Sequence, residues 1–306
     1  MFDILIIGSG PSGMTSAIYG ARMNLKVAII EKSAPGGQMV NTAKIENYPG
    51  IASIDGASLS MNMYEQMTNF GVEFISDEVL KLEKIDNYFK VKTSFGEYLS
   101  KTVIIATGTK NRKLEVKGED KFTGHGISWC AICDGSFYKG KDVIVIGGGN
   151  SALEEAIYLS NICKKVYIVH RRDEFRADKM IIDNLKKCSN IEYLLSKTIT
   201  EFASSNDQKL SKVKLLDLKA NKEEWFNIDG VFEFVGQIPN SEAFKDLGIV
   251  KDNGYISVNE NFETKIKGLF ASGDIIDKGV RQIATAVNDG AISAINASRY
   301  IKDVIL

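Results

Sequence analysis

Apolar runs of five or six residues that stop at glycine-rich turns recur along this chain. Phe2–Ile7 ends in Gly8-Ser9-Gly10-Pro11-Ser12-Gly13, an Ala-rich helical pattern runs on to about Met23, and Lys26–Ile30 is apolar again. The same order returns at Asp142–Ile146, which breaks into Gly147-Gly148-Gly149-Asn150-Ser151-Ala152, continues as ALEEAIYLSNI and reaches Lys165–Val169. An apolar strand, a tight glycine turn, a helix and a second apolar strand make the βαβ unit of a doubly wound parallel sheet.

The likeness between the two halves extends downstream. Tyr88–Thr93 and Glu97–Thr102 pair around Ser94-Phe95-Gly96 and are followed by TVIIATG, ending at Gly108. Lys212–Lys219 and Glu223–Ile228 pair around Ala220-Asn221-Lys222 and are followed by GVFEFVG, ending at Gly236. A long repeat of this kind predicts a duplicated nucleotide-binding domain. The remaining stretch offers only Gly268–Asp274, a short strand ending in Gly-Asp, and one apolar-striped helix over Arg281–Tyr300. Lacking a sheet of its own, it is expected to return to the first domain. The predicted fold is therefore α/β, with two Rossmann-like (three-layer ββα) dinucleotide-binding domains. One comprises 1–115 and 244–306; the other, 116–243, is inserted into it, with crossings near 113–118 and 240–246.

Composition narrows the function classes. With 306 residues, 44% of them apolar and 25% charged, there is material for two cores. Lys+Arg 38 against Asp+Glu 39 leaves no cationic excess for a nucleic-acid partner. No stretch approaches the roughly 18 apolar residues of a membrane span, so no membrane association is expected. The opening MFDILIIGSG has Asp3, no basic leader and no cleavage site, which points to the cytoplasm. Only His125 and His170 are histidines, so a three-histidine zinc site is impossible. The spacing of the four cysteines leaves Cys130 and Cys133 without a second metal-binding half, and no metal site is expected.

Gly8, Gly10 and Gly13 supply a tight turn, bare backbone for a pyrophosphate and close helix–strand packing, with Glu31 placed to accept from a ribose. In the second copy Gly147, Gly149 and Ala152 play these parts, but His170 stands where Glu31 does. Arg171, Arg172 and Arg176 follow it. Arginine there offers bidentate recognition of a 2'-phosphate and selects NADPH over NADH. Two dinucleotides in one chain suggest a hydride donor and a tightly held acceptor. Gly273-Asp274 and the Arg281-Gln282-Ile283 helix start, both returning to the first domain, make that domain the flavin side. Cys130-Ala131-Ile132-Cys133 permits a reversible disulfide, and the neighbouring Asp134 can shuttle a proton or simply cap a turn.

These motifs together resemble the low-molecular-weight, bacterial-type thioredoxin reductases over the full length. The matching stretches are GSGPSGMTSAIYGAR (8–22), GGQM (36–39), IENYPG (45–50), ATG (106–108), GISWCAICDG (126–135), GGGNSALEEAIYLS (147–160), HRRDEFRA (170–177), VGQIPNS (235–241), GLFASGDI (268–275) and RQIATA (281–286). The resemblance implies FAD in the first domain and NADPH in the second, with electrons passing to thioredoxin, and a homodimer. It implies Cys130 as the thiol that exchanges with thioredoxin, Cys133 as the one against the flavin, and Asp134 as the acid. It adds Pro11, Gly36, Gly37, Gln38, Asn47, Thr107 and Gly108 to the FAD contacts, and Asn150, Ser151 and His170 to the NADPH contacts. Two departures stand out, Asn288 before Asp289-Gly290 and Val280 before Arg281. A ferredoxin- or flavodoxin-type NADPH reductase is an alternative that would not need the cysteines. A small-molecule dithiol oxidoreductase is another, which would not need the arginines.

Overall fold

The computed structural model describes residues 1–42, 45–205 and 208–305. The chain forms two compact units, Met1–Lys110 with Ile238–Leu306, and Asn111–Gln237. The first stretch carries β1 (Phe2–Ile7), α1 (Pro11–Arg22), β2 (Val27–Glu31), α2 (Gly56–Asn69), β3 (Glu73–Ser76), β4 (Val79–Ile85), β5 (Tyr88–Thr93) and β6 (Glu97–Ile105), with β7 (Thr109–Asn111) at the outward crossing. The second unit follows with α3 (Glu119–Phe122), β8 (Ile127–Ser128), α4 (Ala131–Asp134), β9 (Asp142–Ile146), α5 (Asn150–Ser160), β10 (Lys165–His170), α6 (Lys179–Leu185), β11 (Ile191–Leu195), β12 (Lys197–Ala203), β13 (Lys212–Asp217), β14 (Lys222–Asn227) and β15 (Gly230–Glu233). The chain returns through β16 (Gln237–Pro239) to β17 (Leu269–Ala271) and α7 (Ile283–Tyr300).

In the first unit the sheet order is β3-β2-β1-β6-β5-β4, with β17 also on β6. β1 runs parallel to β2 and β6, and β17 parallel to β6, while β4, β5 and β6 form an antiparallel meander. Because both faces of β1 are covered, its side chains divide between two cores. Ile4 and Ile6 join Met14, Ala17 and Ala294 under the helices; Leu5 and Ile7 join Val91, Ile105 and Ile275 on the other face. α1 lies close against α7, where Ser16 Oγ donates to the Gly290 carbonyl at 3.0 Å. A Cβ on Gly290 would come within 2.2 Å of the Ser12 carbonyl oxygen, so only glycine permits this approach.

The second unit repeats the plan. Its five strands are ordered β11-β10-β9-β15-β8, all parallel, and β12-β13-β14 make a separate antiparallel sheet. Both units thus have the Rossmann-like α/β architecture.

Three sequence expectations are adjusted. Glu97–Thr102 and TVIIATG form one nine-residue strand, β6, because no turn residue separates them; burial changes from alternating to continuous where β1 and β17 flank it. The final helix starts at Ile283, with Gln282 as N-cap in a reciprocal capping box with Thr285, so Arg281 lies outside it. The units divide at Lys110/Asn111 and Gln237/Ile238, a few residues before the segments 113–118 and 240–246. Within the first unit Asn240 is fastened to the end of the 106–108 turn: Thr107 Oγ1 donates to its carbonyl at 2.8 Å, and its own Nδ2 and N donate to Thr107 and Gly108 carbonyls at 2.9 and 3.0 Å.

Candidate functional site

In the first unit three glycine stretches converge at the start of α1. Gly8 has a positive φ of 100°, and a Cβ on Gly13 would lie 1.9 Å from the Gly8 carbonyl oxygen. Gly10 faces open space, with no atom within 4 Å of a Cβ built there. Gly36 N donates to the Ser9 carbonyl at 2.8 Å, and Gly37 lies over Gly10. Gly273 packs on Ser12, whose hydroxyl donates to Ser272 Oγ at 2.8 Å. Glu31 braces the turn, accepting from Ser9 N at 2.8 Å, Ser9 Oγ at 3.0 Å and Ser33 N at 3.0 Å. A carboxylate has about four lone-pair directions, so this leaves room for a ribose hydroxyl.

The surrounding predicted residues are held by identifiable bonds. Gln38 Nε2 donates to the Thr109 carbonyl at 2.5 Å, and Asn47 Nδ2 to Gln282 Oε1 at 3.2 Å. The Arg281 guanidinium lies 4.4 Å from the Tyr255 ring centroid and reaches the Asp274 and Ile276 carbonyls at 3.5 Å. Asp274 Oδ1 is shut from solvent without a hydrogen-bond partner, and burial pushes its carboxyl up against the pull of Lys278 and Arg281. An open glycine turn at a helix N-terminus beside a half-buried acid that has an oxygen without a hydrogen bond fits a phosphate-bearing polyol such as the flavin dinucleotide. Pattern reading missed Lys278, whose Nζ lies 2.7 Å from Asp289 Oδ2 and 3.5 Å from Asp274 Oδ1.

The second glycine turn is built alike. A Cβ on Gly147, at φ 146°, would sit 2.7 Å from both the Ala152 Cβ and the Phe234 carbonyl oxygen, and Gly149 opens onto free space at the start of α5. Asn150 is locked to Asp178, donating to Oδ2 at 2.8 Å and accepting from its N–H at 2.9 Å, while Ser151 is exposed beside it. Arg176 N donates to the Gly148 carbonyl at 2.7 Å, which ties the arginine segment to the turn. His170 lies flat over Gly148, and its buried Nε2 has no partner. Burial, with Arg172, Arg171 and Arg176 adding to it, holds this imidazole below its ordinary 6.5, so it stays neutral. Arg171, Arg172 and Arg176 are all exposed. An open turn rimmed by cations beside a neutral imidazole fits a phosphorylated nicotinamide dinucleotide.

Cys130 and Cys133 are joined as a disulfide across α4, with Cα atoms 5.3 Å apart. Ser128, which pattern reading missed, organises the pair: its Oγ donates to Asp134 Oδ2 at 2.6 Å and accepts from Cys130 N at 3.1 Å. Burial raises the Asp134 carboxyl, only partly offset by Ser128, which suits an acid that holds a proton. Cys163 is an inert buried thiol, pushed up to about 11 by desolvation; Cys188 is half-buried. Among the described residues no cluster of His, Cys, Asp and Glu could hold a metal, and no helix is long and apolar enough to cross a membrane.

Comparison with known proteins bears on this geometry. The profile of the family described as pyridine nucleotide-disulphide oxidoreductase matches residues 2–290. A thioredoxin reductase of Bacillus subtilis (strain 168) is 43% identical over 304 residues, covering 99% of this chain and 96% of that protein. One from Ureaplasma parvum serovar 3 is 43% identical, covering 98% and 97%. Among solved structures, thioredoxin reductase from Streptococcus pyogenes MGAS5005 is 47% identical with a TM-score of 0.95, covering 99% and 98%. That from Giardia duodenalis is 33% identical with a TM-score of 0.93, covering 98% and 99%.

Proposed function

The chain belongs to the pyridine nucleotide-disulphide oxidoreductase family, and from that premise we propose that it is an NADPH-dependent thioredoxin reductase. The observation that carries the reading is the Cys130–Cys133 disulfide with Asp134 beside it, in a chain that also builds two open glycine turns at helix starts. The first unit would hold FAD on Gly8, Gly10, Pro11, Gly13, Glu31, the Gly36–Gln38 loop and Asp274. The second would hold NADPH on the Gly147–Ala152 turn, with Arg171, Arg172 and Arg176 on the 2'-phosphate. When bound, the nicotinamide supplies a hydride and the flavin relays its electron pair to a disulfide.

The chain's own residues do the rest. The Cys130–Cys133 bond takes up two electrons and one proton and opens to a thiol and a thiolate, with Asp134 as the proton donor. The Cys130 thiolate attacks the thioredoxin disulfide, forming a mixed disulfide and releasing one thioredoxin thiolate. Cys133 then displaces the second, which restores the Cys130–Cys133 bond and frees dithiol thioredoxin. Asp134 is suited to both proton movements because Ser128 fixes one of its oxygens while burial favours its neutral form. We place the enzyme in the cytoplasm as a homodimer.

Anaerobic titration of the flavin-loaded protein with NADPH, followed by thioredoxin from the same organism, tests the reading. The yellow colour should bleach on NADPH and return on thioredoxin, with two thiols appearing per NADPH consumed. A flavin that NADPH leaves oxidised, or a reduced enzyme that thioredoxin does not reoxidise, refutes it.

A further inference from the structure

β15 reads Gly230-Val231-Phe232-Glu233 and ends in an acid inside an otherwise apolar run. Glu233 is only 1% exposed. Its strand pairs on one side with β8, Phe232 opposite Ser128, so the next residues, Glu233 and Trp129, stand side by side. On the other side Glu233 is opposite Ile146, the last strand residue before the Gly147 turn. The acid therefore stands at the sheet end from which both the disulfide segment and the second glycine turn emerge.

The polar groups facing it are few. α3 contributes Glu119, itself 2% exposed, whose two oxygens already accept from Leu114 N, Glu115 N and Val116 N at 3.0, 2.7 and 3.3 Å. The segment before α3 contributes Lys113, the cation on this side, which is engaged by Asp120 at 2.5 Å. β8 leads into the Trp129 indole, and β9 presents only apolar Ile146. Both oxygens of Glu233 and Trp129 Nε1 are sealed from solvent without a well-aligned hydrogen bond. Burial first, then the Glu119 carboxyl, pushes Glu233 up to about 9. The Trp129 indole and Lys113 pull the other way, favouring the ionised form, but they do not outweigh burial and Glu119. Two buried carboxyls that face each other share a proton. With the Glu119 oxygens occupied as acceptors, that proton belongs on Glu233.

We propose that Glu233 is a positioning residue for Cys130: as a neutral acid it donates to Glu119 at the sheet end beside Trp129, and loss of its proton sets two carboxylates against each other and displaces the Ser128-Trp129-Cys130 segment. The linkage to the disulfide is direct, since Ser128 Oγ holds both Cys130 N and Asp134. Glu233 itself touches neither sulfur. The inference rests on Cys130 being the exchanging thiol of the proposed function, but it can be tested without thioredoxin.

Tryptophan occurs only at 129 and 225, so Trp225→Phe leaves Trp129 as the single reporter. In that background the emission and acrylamide quenching of the full-length holoprotein should change in one transition centred near pH 9. Glu233→Gln supplies the neutral amide in place of the acid and should abolish the transition; Glu233→Val should abolish it too, with folding checked by circular dichroism. Infrared difference spectra of the otherwise unaltered protein against Glu233→Gln at neutral pH should show a protonated carboxyl stretch, absent from the variant, that disappears on alkaline titration. In the reduced protein, alkylation of Cys130 read by peptide mass should become several-fold faster relative to Glu233→Gln only on the alkaline side of the transition. A transition that persists in a folded Glu233 variant, or an infrared difference spectrum without the protonated carboxyl, overturns the proposal. Neither readout uses thioredoxin, so this result and that on the substrate stand or fall separately.

Discussion

Replacing Lys278 by methionine isolates the energetic role of one buried cation. Its side chain is 15% exposed and that of Asp289 7%, with Nζ 2.7 Å from Asp289 and 3.5 Å from an Asp274 oxygen that accepts no hydrogen bond. Methionine keeps the length and apolar stem but takes the nearest counter-ion from two carboxylates, leaving Asp274 only the pull of Arg281. Breaking a buried pair costs about 3–5 kcal/mol, and the partial exposure of Asp274 argues for the lower end, about 3 kcal/mol. In a unit of about 180 residues each kcal/mol is worth about 2–4 °C, so its melting temperature should fall by about 6–12 °C. The assay is calorimetry of the flavin-loaded protein, with flavin release followed by fluorescence. Lys278→Met/Asp289→Asn should recover half or more of the loss, because the orphaned charge is gone. The sign with pH is also fixed. Without Lys278 the Asp274 carboxyl is pushed further above its ordinary 3.8, so the folded variant binds the proton more tightly than the unfolded chain. Its deficit should therefore shrink as pH falls toward that ordinary value. A single variant that melts within about 2 °C of the parent, or a double variant no better than the single, would refute the reasoning.

Three further outcomes are expected. Neutralising Arg171 and Arg172 together should raise the KM for NADPH by well over tenfold and leave that for NADH nearly unchanged, since each charged phosphate contact is worth about 1.5–3 kcal/mol; equal losses with both would sink the assignment. Cys130→Ser and Cys133→Ser should each abolish thioredoxin reduction while NADPH still bleaches the flavin, and only Cys133→Ser should trap thioredoxin as a stable mixed disulfide detectable by mass. Glu233, raised from 4.5 to about 9 by burial, keeps its proton in the folded state and loses it on unfolding, so it costs stability increasingly as pH rises through that window. At about pH 7 the cost is at most about 3 kcal/mol, and Glu233→Gln should flatten the dependence in denaturant melts monitored through Trp129 and Trp225.

The strands that could be read from sequence are those whose burial is uniform. β1 and β9 are apolar runs bounded by glycine, and their limits are legible to the residue. β12 is not, because a bulge between Ile199 and Glu201 puts its buried residues, Ile199 and Phe202, three apart and destroys the alternation that marks a strand. β6 was legible in two pieces, since its pattern changes where its neighbours change. The disulfide and glycine turns announce themselves because their chemistry is local in sequence. Ser128 could not be singled out, as serine there is ordinary until the fold brings Asp134 back to it. Glu233 left a trace as a lone charge in an apolar run, but Glu119, which gives it meaning, lies far away in the chain.

The discontinuity of the first unit sets an order for its birth on the ribosome. Asn111–Gln237 is an unbroken stretch whose five parallel strands need nothing from elsewhere. The unit around it cannot finish its sheet until Leu269–Ala271 arrives to pair with β6, nor cover α1 until α7 emerges. The glycine turn at Gly8–Gly13 therefore waits on Gly273 and Gly290, which are translated long after it, while the unit made between them can already be folded. A nascent chain stalled just after residue 237 should expose the apolar faces of β1 and α1, making it a client for chaperones that the finished protein no longer attracts.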